Sequence, residues 1–280
     1  MTGPLEMLAT AQYGKARSAP RATTHLLWFR TICVGWVGSG FVSLLHRTRT
    51  ALHKAGLDIQ RYPTDQPGHI RAVALANHGV DLVIDVGANR GQYGAELRAF
   101  GYRGRIDSFE PQSEQFGHLA ERATDDDRWS VTQCALGPEP GSVTLNVAAN
   151  FGASSSVLPM LDSHRTAAPH ASYVATEQVE QLRLDDAAAD SLAVSQCPFL
   201  KVDVQGYERQ VLDGGRRALD RAVGIEMELS FVPLYDGGML WTDALTLLEE
   251  LDLALHTLFP GLTDPKSGRL LQADGLFFRV

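Results

Sequence analysis

An apolar run that meets a carboxylate and then turns through glycines constrains this chain more than any other feature. It reads Leu82-Val83-Ile84-Asp85-Val86-Gly87-Ala88-Asn89-Arg90-Gly91-Gln92-Tyr93. Near-continuous apolar character over 81–86 is that of a strand buried on both faces, and a helix is expected from about Gln92. Glycine has no Cβ, so a turn bracketed by Gly87 and Gly91 lets backbone N–H groups and a helix N-terminus approach a ligand closely. Further on, Ile106-Asp107-Ser108-Phe109-Glu110-Pro111 reads as a second strand that also ends in an acid.

A glycine turn followed, about twenty residues on, by a strand-end acid marks a Rossmann-like nucleotide site, with the acid placed on ribose hydroxyls. The turn also discriminates between cofactors. A dinucleotide fingerprint carries three glycines that clear room for a pyrophosphate. Here the turn is Asp-x-Gly-Ala-Asn-x-Gly, with two glycines and Asp85 at the strand end. An acid at that point suits a cationic or hydroxyl-rich cofactor without phosphates, and S-adenosylmethionine fits. The reading rests on Asp85 and Glu110 cupping such a ligand at adjacent strand tips.

The chain of 280 residues is long enough for one large α/β domain with an extension. The rhythm over 81–135 is β-α-β-α-β, that of a parallel sheet: strand 81–86, helix 92–100, strand 105–110, helix 112–123 and strand 130–135. Residues 142–147 alternate polar and apolar, and 150–180 read as a loop beside the acceptor pocket. Strand 199–204, a turn and helix over 206–214, strand 222–229, helix 241–251 and closing strands 254–258 and 275–280 complete the pattern. A domain over 62–280 is expected, behind a basic, partly apolar and helical extension over 1–61.

Net charge is −8, which argues against a general nucleic-acid binder, since phosphates need neutralising cations. Cys33, Cys134 and Cys197 are odd in number and form no C-x-x-C pair, as in a reduced cytoplasmic protein. The first 61 residues carry Lys15, Arg17, Arg21, Arg30, Arg47, Arg49, Lys54 and Arg61 against Glu6 and Asp58. Within them, 26–45 is apolar but broken by Arg30 and three glycines, so it is a poor bilayer span. It suits either a peripheral position on an anionic membrane surface or helices packed against the catalytic domain, including at a homo-oligomer interface. No cleavage site of small residues follows, so a secretory signal is not expected.

Ligands of open α/β sheets sit at the carboxyl ends of the strands. There the chain supplies Asp85, Glu110, Asp203, Glu226 and Glu228, all acidic. In Phe199-Leu200-Lys201-Val202-Asp203 the alternation puts Lys201 and Asp203 on one face of an otherwise apolar strand. Such a pair is costly unless it bonds or catalyses.

Taken together, several motifs resemble the FkbM family of S-adenosylmethionine-dependent O-methyltransferases. They are Asp-Val-Gly-Ala-Asn-x-Gly-Gln-Tyr at 85–93, Phe-Glu-Pro at 109–111, Ala-Leu-Gly at 135–137 and Arg-Leu-Asp-Asp at 183–186. Lys-Val-Asp-Val-Gln-Gly-Tyr-Glu at 201–208 and Asp-Gly-Leu-Phe at 274–277 follow. The family commonly reads Val-Glu-Gly where this chain has Val204-Gln205-Gly206. The resemblance implies a class I methyltransferase fold, a seven-stranded, mostly parallel sheet with helices on both faces and an antiparallel last strand. It implies that Asp85 and Gly87 contact the methionine tail, that Asn89 and Gly91 shape the turn, and that Glu110 holds the ribose. The adenine pocket is implied near Ala135 and Leu136.

Transfer of a methyl group to a weakly nucleophilic hydroxyl needs alignment and a base. Asp203 is the first choice, with Glu226 or Glu228 assisting. The same three carboxylates could instead hold Mg²⁺, and the bare base is the preferred reading. His164 and His170 are alternative bases, more readily read as exposed loop residues. Asn150 and Ser155 could contact the acceptor, and Tyr207, Tyr235 and Trp241 could line its pocket. Asp185 and Asp186 read as a helix start or a loop turn. The expected acceptor is a hydroxyl of a sugar, glycolipid or secondary metabolite. The rivals are an NAD-dependent oxidoreductase or epimerase, which lacks its third glycine and a Tyr-x-x-x-Lys pair here, and a non-catalytic scaffold, which Gln205 alone favours.

Overall fold

The computed structural model describes residues 66–280. The helical reading of the first 61 residues and the membrane-surface reading of 26–45 fall outside them. Among the described residues no helix is long and apolar enough to cross a membrane.

The chain enters through α1 (Pro67–Asn77) and alternates through β1 (Leu82–Val86), α2 (Gln92–Ala99), β2 (Arg105–Phe109), α3 (Ser113–Ala123) and β3 (Trp129–Thr132). After an excursion it returns with β7 (Pro198–Val202), α7 (Glu208–Gly214), α8 (Arg216–Arg221), β8 (Gly224–Ser230), α9 (Trp241–Glu249), β9 (Leu253–Pro260) and β10 (Gln272–Arg279). The seven-stranded sheet has the order β3-β2-β1-β7-β8-β10-β9, with β10 antiparallel to both neighbours. Strand order reverses beside β1, between β2 and β7, which is where open α/β sheets bind ligands.

Every residue of β1 and β7 is buried. Leu82, Ile84 and Val86 pack on one face with Leu200, Val202 and Ile225, while Val83 packs on the other with Ile106 and Phe199. Burial on both faces explains why these strands read as continuous apolar runs.

The excursion departs from expectation. The strand expected at 130–135 is two elements: β3 in the main sheet and β4 (Ala135–Leu136) in a second sheet. β4 pairs with β6 (Tyr173–Leu182), which pairs antiparallel with β5 (Gly141–Ala148). The segment expected to be loop over 150–180 therefore holds most of β6, besides α4 (Asp162–Ala167). β6 escaped notice because Tyr-Val-Ala-Thr-Glu-Gln-Val-Glu-Gln-Leu is largely exposed and shows no apolar alternation. Its partner strand makes it a strand. α5 (Leu184–Ala187) and α6 (Ala189–Val194) follow. Asp185 and Asp186 lie in the first turn of α5, and Asp185 also accepts the N–H groups of Arg217 and Ala218 that open α8.

Candidate active site

A cavity of about 410 Å³ opens over the carboxyl ends of β1, β2, β7 and β8. Its floor is the turn after β1. Gly87 has φ 75°, and a Cβ there would lie 1.8 Å from the carbonyl oxygen of Asp203. The ends of β1 and β7 can approach this closely only with glycine at 87. Lys201 joins the two strands beneath, donating to the carbonyl of Gly87 at 2.9 Å and lying 3.1 Å from Asp85 Oδ1. Burial alone would lower the Lys201 pKa, but Asp85 and Asp203 beside it raise it, so the ammonium stays charged.

The tip of β2 supplies Glu110, which is 6% exposed. Its two oxygens accept the backbone N–H groups of Asn89 (2.7 Å) and Gln112 (2.9 Å). Burial raises this carboxyl to about 7 against those hydrogen bonds. Beyond it the wall is apolar, formed by Pro111, Ala135, Leu136, Leu145 and Val157. Leu145 comes from β5 and Val157 from the segment before α4, so the second sheet closes this side. Asn89, at φ 49°, donates its side-chain amide to the carbonyl of Phe151 and ties the covering segment to the turn.

The other half of the cavity is acidic. Asp203, Glu226, Glu228, Asp274 and Glu96 line it. Arg71 of α1 forms a buried pair with Glu226, donating to Oε1 from Nη2 (2.6 Å) and Nε (2.8 Å) and to Oε2 from Nε (3.0 Å), and also meets Glu96 at 3.1 Å. Tyr93 donates to the second oxygen of Glu226 at 3.0 Å. Gln205, at φ 55°, places its amide nitrogen 2.8 Å from Asp203 Oδ1 and 2.9 Å from Glu228 Oε2. Its amide oxygen accepts the hydroxyl of buried Tyr235 at 2.7 Å. Burial, with Asp203 next, raises Glu228 well above the carboxylate range. The Asp203 side chain stays 38% exposed, and its Oδ2 lies 3.7 Å from Lys201.

The structure thus gathers Gly87, Asn89, Glu110, Ala135, Leu136, Asp203, Glu226 and Glu228 around one cavity. Two expected residues are not among its walls. Asp85 is 0% exposed and turned away from the crevice, against Lys201 and the Ser108 hydroxyl, which donates to Oδ2 at 3.1 Å. The expected contact of Asp85 with a ligand is corrected accordingly. The side chain of the penultimate strand residue points into the layer below, so Asp85 anchors Lys201 instead. Gly91, at φ 76°, faces Leu119 and Trp129 and serves helix packing. Glu226 lines the wall, but Arg71 and Tyr93 already engage both its oxygens, which leaves Asp203 and Glu228 as the available acids.

His164 is a further correction. It is buried in α4, edge-on to Tyr235, and burial holds it neutral by lowering its pKa to about 4. His170 is exposed, as is Trp241, which packs edge-on against Phe231. Ser155 and Tyr207 line the cavity, Tyr235 stands behind Gln205, and Asn150 bonds Ser154. Sequence reasoning missed Arg71, Tyr93 and Asp274 as parts of the site. Tyr93 and Asp274 were visible as members of their motifs, and Arg71 as a cation inside an apolar helix.

Comparison with known proteins adds the following. A model of the FkbM methyltransferase domain matches residues 85–253. The chain is similar to the 2-O-methyltransferase NoeI of Sinorhizobium fredii, with 23% identity over 190 residues that cover 66% of this chain and 78% of that one. Among solved structures it is similar to an FkbM methyltransferase from Methylobacillus flagellatus, with 19% identity and a TM-score of 0.42. That match covers 71% of this chain and 44% of the other, so this chain spans less than half of that protein. It is also similar to magnesium protoporphyrin IX methyltransferase from Synechocystis, a structure with bound S-adenosylmethionine. There the identity is 9% and the TM-score 0.41, over 88% of this chain and 86% of that one.

Proposed function

We infer the reaction from the premise that the chain belongs to the FkbM family of S-adenosylmethionine-dependent methyltransferases: it methylates a hydroxyl oxygen of a sugar, a glycolipid or a secondary metabolite. The division of the cavity supports the cofactor. Pro111, Ala135, Leu136, Leu145 and Val157 offer an apolar slot to a base, and Glu110 stands where a ribose diol would follow. The acidic half suits a positively charged end, since opposite charges attract strongly in a partly desolvated site. S-adenosylmethionine has these three parts in that order, and when bound it supplies an electrophilic methyl group on a cationic sulfur.

Oxygen as the acceptor atom rests chiefly on Asp203. One of its oxygens is held by Gln205, and Oδ2 remains beside the open cavity. A hydroxyl placed against Oδ2 would lose its proton to that oxygen as it becomes methylated, and general base catalysis of this kind contributes about 10²–10⁴-fold. Lys201 fixes the carboxylate from below. The name of the Sinorhizobium relative supports O-methylation, and the carboxylates and amides around Asp203 support an acceptor rich in hydroxyls, which can donate to them. The apolar stretch 26–45, set among the basic residues of 1–61, supports a cytoplasmic enzyme working at the inner membrane face, and co-sedimentation with anionic liposomes tests that element separately.

The test of the reaction is transfer of labelled methyl from S-adenosylmethionine into a glycolipid extract, followed by mass spectrometry of the product. A methyl ether on a sugar is the expected product. Label found only on amine nitrogen would overturn the assignment of the acceptor atom.

A further inference from the structure

Gln205 is held in a way that a merely structural glutamine does not require. Its φ of 55° lies in the left-handed region, which costs a non-glycine residue about 1 kcal/mol or more. All its side-chain hydrogen-bonding groups reach partners: two carboxylates on the nitrogen side and one phenol on the oxygen side. The amide orientation is fixed by chemistry. Tyr235 is the donor to Gln205, and a flipped amide would turn its oxygen onto two carboxylates.

The nitrogen of Gln205 therefore sits between Asp203 and Glu228 with one hydrogen for each, at 2.8 and 2.9 Å. Hard divalent cations hold carboxylate oxygens at roughly 2.0–2.6 Å. The amide thus bridges the pair where a divalent cation could, with contacts about 0.2–0.9 Å longer than cation–oxygen distances. An amide neutralises no charge, and the site responds accordingly, with Glu228 tending to hold a proton beside Asp203.

We propose that Gln205 is a positioning residue whose side-chain amide takes the place of a bridging divalent cation between Asp203 and Glu228. It holds Asp203 with Oδ2 free toward the acceptor. The proposal rests on the reading of Asp203 as the base, and it predicts an acceptor end that does not recruit a metal until position 205 is changed. Replacing the amide by a third carboxylate adds an anionic ligand where a donor stood, and ligand charge count sets cation affinity.

The experiment measures Mn²⁺ binding by electron paramagnetic resonance on the full chain, alongside calorimetry with S-adenosylhomocysteine. Wild type should show no Mn²⁺ site of submillimolar affinity. Gln205→Glu should bind Mn²⁺ about tenfold tighter or better, and adding Asp203→Asn should abolish the gain. Should Gln205→Glu not fold, Gln205→Gly suits the positive φ, vacates the space between the carboxylates and should gain Mn²⁺ affinity about threefold. A submillimolar Mn²⁺ site in wild type that Asp203→Asn removes would overturn the proposal, as would a folded position-205 variant with no gain. Failure of wild type to bind S-adenosylhomocysteine would instead strike the cofactor reading, so the two are separable.

Discussion

The two ends of the cavity hold their carboxylates in opposite ways. At the tip of β2, Glu110 is gripped by backbone N–H groups from the Asn89 turn and from Gln112. At the tips of β7 and β8, side chains hold the acids: Gln205 and Lys201 for Asp203, Gln205 for Glu228, and Arg71 and Tyr93 for Glu226. Backbone donors are indifferent to side-chain identity and give a fixed cradle for an invariant ligand. Side-chain donors can be exchanged one at a time, which suits the end where acceptors differ. On the proposed function, the cofactor end is thereby built by the fold and the acceptor end by the particular residues placed on it.

Substitutions at the two ends should separate binding from chemistry. The largest effect is expected at Asp203, where Asp203→Ala should lower methyl transfer by about 10²–10⁴-fold with S-adenosylhomocysteine affinity nearly unchanged. An equal loss in both would merge the two ends. Next, Arg71→Met should strand the buried Glu226 carboxylate and destabilise the fold by about 3–5 kcal/mol in urea unfolding. A change below about 1 kcal/mol would mean that Glu226 finds another partner or takes up a proton. At the cofactor end, Glu110→Gln should weaken S-adenosylhomocysteine by about 1.5–3 kcal/mol, roughly tenfold to a hundredfold.

The smallest effect is on pH. Glu110 and Glu208 are buried and raised by burial to about 7, so the folded protein keeps protons that the unfolded chain has lost. The stability this contributes is complete below the unfolded value near 4.5 and is lost as pH rises through 7. His164, lowered to about 4, acts oppositely but only below its unfolded value of 6.5. Between pH 6.5 and 7.5 stability should therefore fall, and the melting temperature with it by a few degrees. Each of Glu110→Gln and Glu208→Gln should remove part of that slope, the rest coming from Asp274 and Glu228, which burial also raises.

The same contrast explains what the sequence disclosed. β1 and β7 were legible because burial on both faces leaves a mostly apolar run, and Glu110 because it follows the glycine turn at the spacing of a strand-end acid. Asp85 was misplaced because a strand-end acid can serve the ligand or the layer beneath, and only the register against Ser108 and Lys201 decides. Arg71 and Glu226 are 155 residues apart and meet through sheet order alone. β6 owes its existence to β5 and carries little apolar signal of its own. Gln205 stood out as a departure from the family pattern, but the amide bridge required the positions of Glu228 and Tyr235.

Titration calorimetry of wild type with S-adenosylhomocysteine and, separately, with NAD tests the central claim most directly, because it asks which ligand the Glu110 end accepts. One binding site for S-adenosylhomocysteine and none for NAD is the expected result. Saturable NAD binding, with S-adenosylhomocysteine silent, would contradict the account.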